Sequence, residues 1–310
     1  MFKYFFVLWI YFKYKIGVVD FETAFKEMVI FLTKVNLIFV KLCQWLTYDF
    51  CNDKIVANRL SNFIESYCEH APYSEEDIDY ESLKEMRNKM KISQQPDFSG
   101  SIALCYLGEY KDKKVIVKIK RKNIQNQMDD FVSLIKYITS ILNLLFKVGI
   151  VREIDIKVFT YIQNFVKNNF ILQLDFINEC KNIKTFYNIC DSENGLKIPF
   201  VYEEFTISNS NLIVMEYLNS STSKTELSLS DLKFHSETLA SMLVLTLLEG
   251  NIMHADCHIG NVIFLEENNK PLTGLIDFGI TLNPNIKEQN YIFELIDYIF
   301  IDFDASNGQG

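Results

Sequence analysis

Glycine and proline are scarce in this chain, 11 and 5 of 310 residues, and there is no low-complexity tract or internal repeat. With 49% hydrophobic and 23% charged residues, a disordered chain is excluded and a folded one with a sizeable core is expected. Positive charge is also short: the formal net charge is −9, so the counterion release that drives binding to DNA or RNA is disfavoured, and no nucleic-acid partner is expected. A local basic patch at Lys111–Lys122 is the one exception. The seven cysteines contain no C-x-x-C pair, which argues against a zinc site or a disulfide framework and for a reducing, intracellular compartment. Most are expected to be buried as small hydrophobes. No apolar run reaches the length of a spanning helix. The longest near the N-terminus, Phe5 to Phe12, is too short, and Lys3, Lys13 and Lys15 flank it. No small-residue cleavage site follows, which argues against a secretory signal. The segment 1–19 reads as a helix packed on the body, or as a membrane-surface anchor or targeting segment.

What is present is patterned. Residues from about 20 to 70 carry apolar side chains at three- and four-residue spacing, as a helical region does. A polar, acidic stretch follows, and Ser93–Pro96 is read as a boundary. Beyond it, Ile102–Leu107 and Lys114–Ile119 are β-rich and joined by a polar turn at Tyr110–Lys113. Helical patterning covers Met128–Phe146 and Val158–Asn188. Asn211–Tyr217 reads as a strand, and Asp231 as the cap of a helix that runs to Glu249. A hairpin, Val262–Leu265 and Leu272–Ile276, then an apolar helix from Tyr291 to Phe303, complete the chain.

The chemistry concentrates in the second half. In His254-Ala255-Asp256-Cys257-His258-Ile259-Gly260-Asn261 an aspartate is followed five positions later by an asparagine. Phosphoryl transfer to a hydroxyl needs a carboxylate to orient the attacking oxygen, and oxygen ligands for the magnesium that neutralises the phosphates. Asp256 fits the first role and Asn261 the second. The hairpin then leads to Ile276-Asp277-Phe278-Gly279, whose Asp277 stands at the metal-bridging position of kinases. Either motif alone can be turn capping; both, in this order, point to a kinase site. Lys118, inside the apolar run Val115–Ile119, is costly unless its ammonium meets anions, and kinases set such a lysine against nucleotide phosphates. On a solvated strand face it would have no such meaning. The turn Ser99-Gly100-Ser101 lies where a phosphate-covering loop belongs, and an ordinary hairpin turn would look similar. Ile213–Leu218 reads as the strand and hinge behind an adenine, with the Glu216 carbonyl and the Leu218 amide as its contacts.

Together these residues resemble the UbiB, or aarF-domain, family of atypical kinases, from about Val40 to Ile280. Lys41-Leu42-Cys43-Gln44 resembles the family's K-x-G-Q motif, and Phe98–Tyr106 its alanine-rich nucleotide loop. Gln173-Leu174-Asp175 resembles E-x-D, followed by a glutamate, Glu179, that the family pairs with the strand lysine, here Lys118. The resemblance further implies that Asp175 answers Lys41, that ATP and Mg2+ are the cofactors, and that helices bearing K-x-G-Q cover the pocket where a protein substrate would enter. It implies a setting in coenzyme Q or isoprenoid-lipid homeostasis, with a lipid or membrane surface as partner, mitochondrial in some relatives. The sequence departs from the family at Cys43, at Gln173, and at Cys257 and Ile259, which replace prolines.

The chain thus reads as α+β, with a two-lobed protein-kinase-like fold. Residues 1–92 form an N-terminal helical extension, 93–216 an N-lobe with a helical insert, and 217–310 a C-lobe shortened by the end of the sequence at Gly310. The expected activity is that of an atypical kinase or ATPase with Lys118, Glu179 and Asp256 as catalytic residues. The alternatives are a nucleotide-sensing module without turnover, favoured by Cys43 and Gln173, and an aminoglycoside- or choline-kinase-like phosphotransferase, which would lack the Lys41–Gln44 and Gln173–Glu179 elements.

Overall fold

In the computed structural model of the chain, residues 5–39, 42–43, 55–56, 59–60, 62–64, 71–147, 157, 160–161, 163–164, 171–190, 195–220, 227–267 and 270–294 are described. In chain order the elements are helices α1 (Phe5–Lys15), α2 (Phe21–Val35) and α3 (Tyr80–Lys89), strands β1 (Lys91–Ile92), β2 (Phe98–Ser99), β3 (Ala103–Tyr110) and β4 (Lys113–Lys120), and helix α4 (Ile124–Lys147). Then come helix α5 (Phe176–Ile189), strand β5 (Leu196–Lys197), helix α6 (Glu203–Ser208), strand β6 (Leu212–Glu216), helix α7 (Leu229–Gly250), and strands β7 (Met253–His254), β8 (Val262–Glu267), β9 (Lys270–Leu275) and β10 (Thr281–Leu282). The mixture of helices with antiparallel strand pairs is α+β, as a kinase-like domain requires. Two compact units divide the chain: Met1–Asp175 with Ser208–Val214, and Phe176–Ile207 with Met215–Gly310.

The first unit is built on a five-stranded sheet in the order β1-β3-β4-β6, with β2 added to β3. β4 alternates as its sequence demands: Val115, Val117 and Ile119 are buried, while Ile116, Lys118 and Lys120 share the half-covered face. Because β1 already pairs with β3, the sheet begins before the Ser93–Pro96 segment. Gly108 permits that pairing, since a Cβ there would sit 2.8 Å from the Lys91 carbonyl oxygen. The β3–β4 connection is a two-residue turn in which Lys111 and Asp112 both take positive φ, 51° and 61°. That geometry suits Asn-Gly and costs other residues roughly 1 kcal/mol each. Replacing Lys111-Asp112 by Asn-Gly is therefore expected to stabilise the β3–β4 hairpin by about 1 kcal/mol, read as slower hydrogen exchange of the β3 and β4 amides at increasing urea.

Helix α2 starts where Asp20 accepts the Thr23 amide at 2.7 Å and buries Val29 and Leu32. Against it lies α1, held by the Phe6–Phe31 ring contact at 4.6 Å and the Lys13–Glu27 ion pair at 2.7 Å, with Ile10 buried. Trp9 and Phe12 nevertheless remain half exposed, at 55% and 50%. Helix α1 thus packs on α2, and no described helix is long and apolar enough to cross a membrane. Cys43 is buried with Val29, Leu37, Ile64 and Ala71, and Cys180 and Cys190 are buried too; Cys105 is half-buried and Cys257 exposed.

The expected helix from Val158 to Asn188 is interrupted. A 3-10 turn at Leu172–Leu174 closes on Asp175, which leaves helical geometry at φ −93°, ψ 85°, and α5 begins only at Phe176. In the second unit, helix α7 begins two residues before the expected cap. Ser228 is the N-cap and Asp231 the third residue of a reciprocal capping box, so Asp231 serves the cap from inside the helix. β8 and β9 form the expected hairpin, from Val262 opposite Leu275 to Glu267 opposite Lys270, and β5 adds parallel to β9. Residues 286–294 are helical; the rest of the expected Tyr291–Phe303 helix lies outside the described residues.

Candidate functional site

The aspartate–asparagine loop and the Asp-Phe-Gly segment meet in the second unit through backbone bonds. The Ile276 amide donates to the Asn261 carbonyl at 2.9 Å, the Ala255 amide to the Ile280 carbonyl at 3.0 Å, and β7 pairs with β10 through His254 and Thr281. Asn261 donates its side-chain amide to the Asp256 carbonyl at 2.8 Å, which fixes the loop and leaves Oδ1 as the oxygen of that side chain for a cation. Asp256 and Asp277 are half-buried, while Asn261 is 7% exposed. Gly260 lets the His258 ring fold back on the loop: a Cβ would lie 2.6 Å from that ring, which accepts the Gly260 amide at 3.0 Å.

Asp277 has φ +62°, a left-handed conformation that aspartate tolerates and that is common where a side chain must be aimed. The next residue anchors it. Phe278 is fully buried between Phe186, at 5.0 Å, and His254, at 5.1 Å, and its carbonyl accepts Asn182 Nδ2 at 2.9 Å. Helix α5 supplies both Asn182 and, one turn earlier on the same side, the buried Glu179.

One carboxylate, on Asp277, and one amide oxygen, on Asn261, stand at the same end of the β8–β9 hairpin, where the Ile276–Asn261 backbone bond joins the strands. Oxygen donors of this kind fit magnesium, which takes one or two protein oxygens and completes its shell with phosphates and water.

Burial holds His254 and His235 below the ordinary histidine value of 6.5, although the carboxylates of Asp277 and Asp256 oppose this for His254 and that of Asp231 for His235. His235 bonds Thr273 Oγ1 at 2.8 Å and packs on Phe264. Since the folded state binds these protons less well than the unfolded chain, stability is full above the unfolded value and is lost as pH falls below it. The melting temperature is expected to drop between about pH 7 and pH 5, and less steeply in His235→Phe.

At the end of β6, Glu216 bonds Phe200 both ways: its amide donates to the Phe200 carbonyl at 2.8 Å, and its carboxylate accepts the Phe200 amide at 3.2 Å. Lys197 bridges Glu216 and Glu267, each at 3.3 Å, and these carboxylates raise its affinity for the proton against the cost of burial. Leu218 is buried over the hairpin with Leu265 and Leu272.

In the first unit, Lys118 sits on β4 opposite Cys105, half-buried. The Ser99-Gly100-Ser101 turn closes through the Gly100 amide to the Ala103 carbonyl at 3.0 Å, and both serines are buried. The Ser99 hydroxyl donates to the Ala71 carbonyl and accepts from Arg121 at 2.8 Å. Asp175 is exposed, and Gln173 is buried with no hydrogen-bond partner for its amide among the described residues. Lys41 and Gln44 lie outside the described residues.

Two residues were not legible as parts of the site. Asn182 carries no motif signal. Arg121 reads, in sequence, as one more member of a basic run, yet its side chain is fully buried and ion-paired with Asp77 at 3.1 Å. Burial lowers its proton affinity and Asp77 counters this.

The profile of the ABC1 atypical kinase-like domain matches residues 79–307. A probable protein kinase UbiB of Histophilus somni is 29% identical over 195 residues, 61% of this chain and 34% of that protein. An AarF domain-containing protein kinase 1 of Xenopus laevis is 24% identical over 197 residues, 61% of this chain and 36% of that protein. The chain spans about a third of the length of the curated relatives it matches. With the matched region covering most of the sequence, and with both motifs carried on the hairpin where a kinase-like domain needs them, the chain belongs to the UbiB/AarF family of ABC1 atypical kinase-like proteins.

Proposed function

We propose that the chain binds ATP with magnesium and acts as an atypical kinase or ATPase. The observation that carries this reading is the convergence of Asp256, Asn261 and Asp277 at one end of the β8–β9 hairpin, held by the Ile276–Asn261 and Asn261–Asp256 bonds. In the proposed assignment Asp277 and Asn261 hold magnesium, which when bound offsets the charge of the phosphates. Asp256 orients the attacking hydroxyl or water and takes up its proton. Lys118 binds phosphate oxygens and pairs with Glu179. The Ser99–Ser101 turn covers the phosphates, and the Glu216 carbonyl and Leu218 amide receive the adenine. Lys41 and Asp175 form the family's regulatory pair.

Lipid homeostasis is the setting that the family suggests. The half-exposed Trp9 and Phe12, beside Lys13 and Lys15, support a membrane surface as partner. The test is phosphate release from ATP by the purified chain, with and without vesicles containing anionic lipid. Magnesium-dependent release, increased by vesicles, is expected. Thermal stabilisation by ATP without release favours the nucleotide-sensing alternative, for which the buried Gln173 in place of an acid is the specific support. No stabilisation and no release would overturn the nucleotide reading.

A further inference from the structure

The Arg121 guanidinium spends its whole hydrogen-bonding fork on one turn and the segment beside it. Nε donates to the Gly100 carbonyl at 3.0 Å, Nη1 to the Pro72 carbonyl at 3.1 Å and to Asp77 at 3.1 Å, and Nη2 to Ser99 Oγ at 2.8 Å and, more weakly, to the Ala71 carbonyl at 3.5 Å. The Arg121 backbone amide holds the Ile102 carbonyl at 2.9 Å, on the far side of the same turn. The Ala71 amide donates to the Ser99 carbonyl at 2.7 Å, so the segment Ala71–Asp77 is joined to the turn from both directions.

A buried guanidinium facing a single carboxylate is an expensive way to fill a core, and an apolar side chain of that size would serve packing as well. What an apolar side chain cannot do is hold three carbonyls and a hydroxyl in fixed positions. The turn needs this, because it is short, contains a glycine and has one backbone bond of its own, Gly100 to Ala103. A loop that receives phosphates binds them well only if its donors are arranged beforehand, so that ordering is not charged against binding.

We propose that Arg121 is a positioning residue for the nucleotide loop: it presets Ser99–Ser101 for phosphate and couples that loop to the Ala71–Asp77 segment. This rests on the reading of the turn as the phosphate loop. Arg121→Lys keeps the charge but loses the fork, and Asp77→Asn loosens the guanidinium while leaving it in place. The intact chain and both variants are titrated with Mg-ATP and with adenosine, which has no phosphates, and amide hydrogen exchange is followed over residues 97–103.

Arg121→Lys is expected to weaken ATP at least tenfold, leave adenosine unchanged and speed exchange in the turn. Asp77→Asn should do the same to a smaller degree. Equal weakening of ATP and adenosine, or no change in either, overturns the proposal. If the unsubstituted chain binds neither ligand, the nucleotide reading fails, and with it the loop's assignment to phosphate. Exchange in the turn then judges the clamp alone: unchanged protection in Arg121→Lys sinks it.

Discussion

Asp277→Asn is expected to reduce magnesium-dependent ATP turnover by about 10²- to 10³-fold, an increase of roughly 3–4 kcal/mol in the activation barrier. The substitution isolates charge from shape. Asn tolerates the left-handed backbone as Asp does, so the φ of +62° at this position does not oppose it. The Phe278 ring that anchors the turn is untouched, and so is its carbonyl bond to Asn182. What changes is the only negative charge in the proposed metal donor set. Initial rates of phosphate release across a magnesium titration check this. The variant should need far more magnesium and reach a lower maximum, while keeping its circular dichroism and melting temperature. Turnover equal to that of the parent chain would remove Asp277 from the metal site. Asn182→Ala acts differently, because it releases the Phe278 carbonyl without altering charge.

Phe278→Ala is expected to destabilise the second unit by about 3–5 kcal/mol, the range for deleting a fully buried phenyl ring. Its neighbours Phe186 and His254 stand at 5.0 and 5.1 Å, and neither can close the gap without leaving α5 or β7. Two compact units make a single unfolding free energy ambiguous. Hydrogen exchange of the α5 and α7 amides at increasing urea therefore gives the cleaner measure. Phe278→Leu, which retains most of the volume, should recover much of the loss. The two variants together separate packing from aim: the leucine variant should fold yet hold Asp277 less firmly.

Much of the candidate site was legible because its logic is local. Asp256 and Asn261 share one loop, Asp277 follows the partner strand of the same hairpin, and strand alternation places Lys118 on the face opposite Val117. Patterns of this kind survive in sequence because the residues that cooperate are close along the chain. Element boundaries were less legible. Asp231 looked like a cap, and only the reciprocal Ser228 bond shows that the helix starts before it. Asp175 sits inside a helical pattern and breaks it, because its backbone turns where side-chain periodicity gives no sign.

By itself, the amino-acid order determined the α+β class and the family and nominated the side chains proposed here for phosphate and metal, since these follow from periodicity and from short spacings. Tertiary structure alone decided the surroundings of Arg121, on which its proposed role rests. Five lysines precede it in the run from Lys111, and although strand alternation puts position 121 in phase with the buried Val115, Val117 and Ile119, nothing in the run shows what would meet a cation there. The partners are Ala71, Pro72, Asp77, Ser99 and Gly100, distant along the chain, whose oxygens converge on one guanidinium. A charge is stable in a core only where such partners meet it, and where they meet is a property of the folded chain.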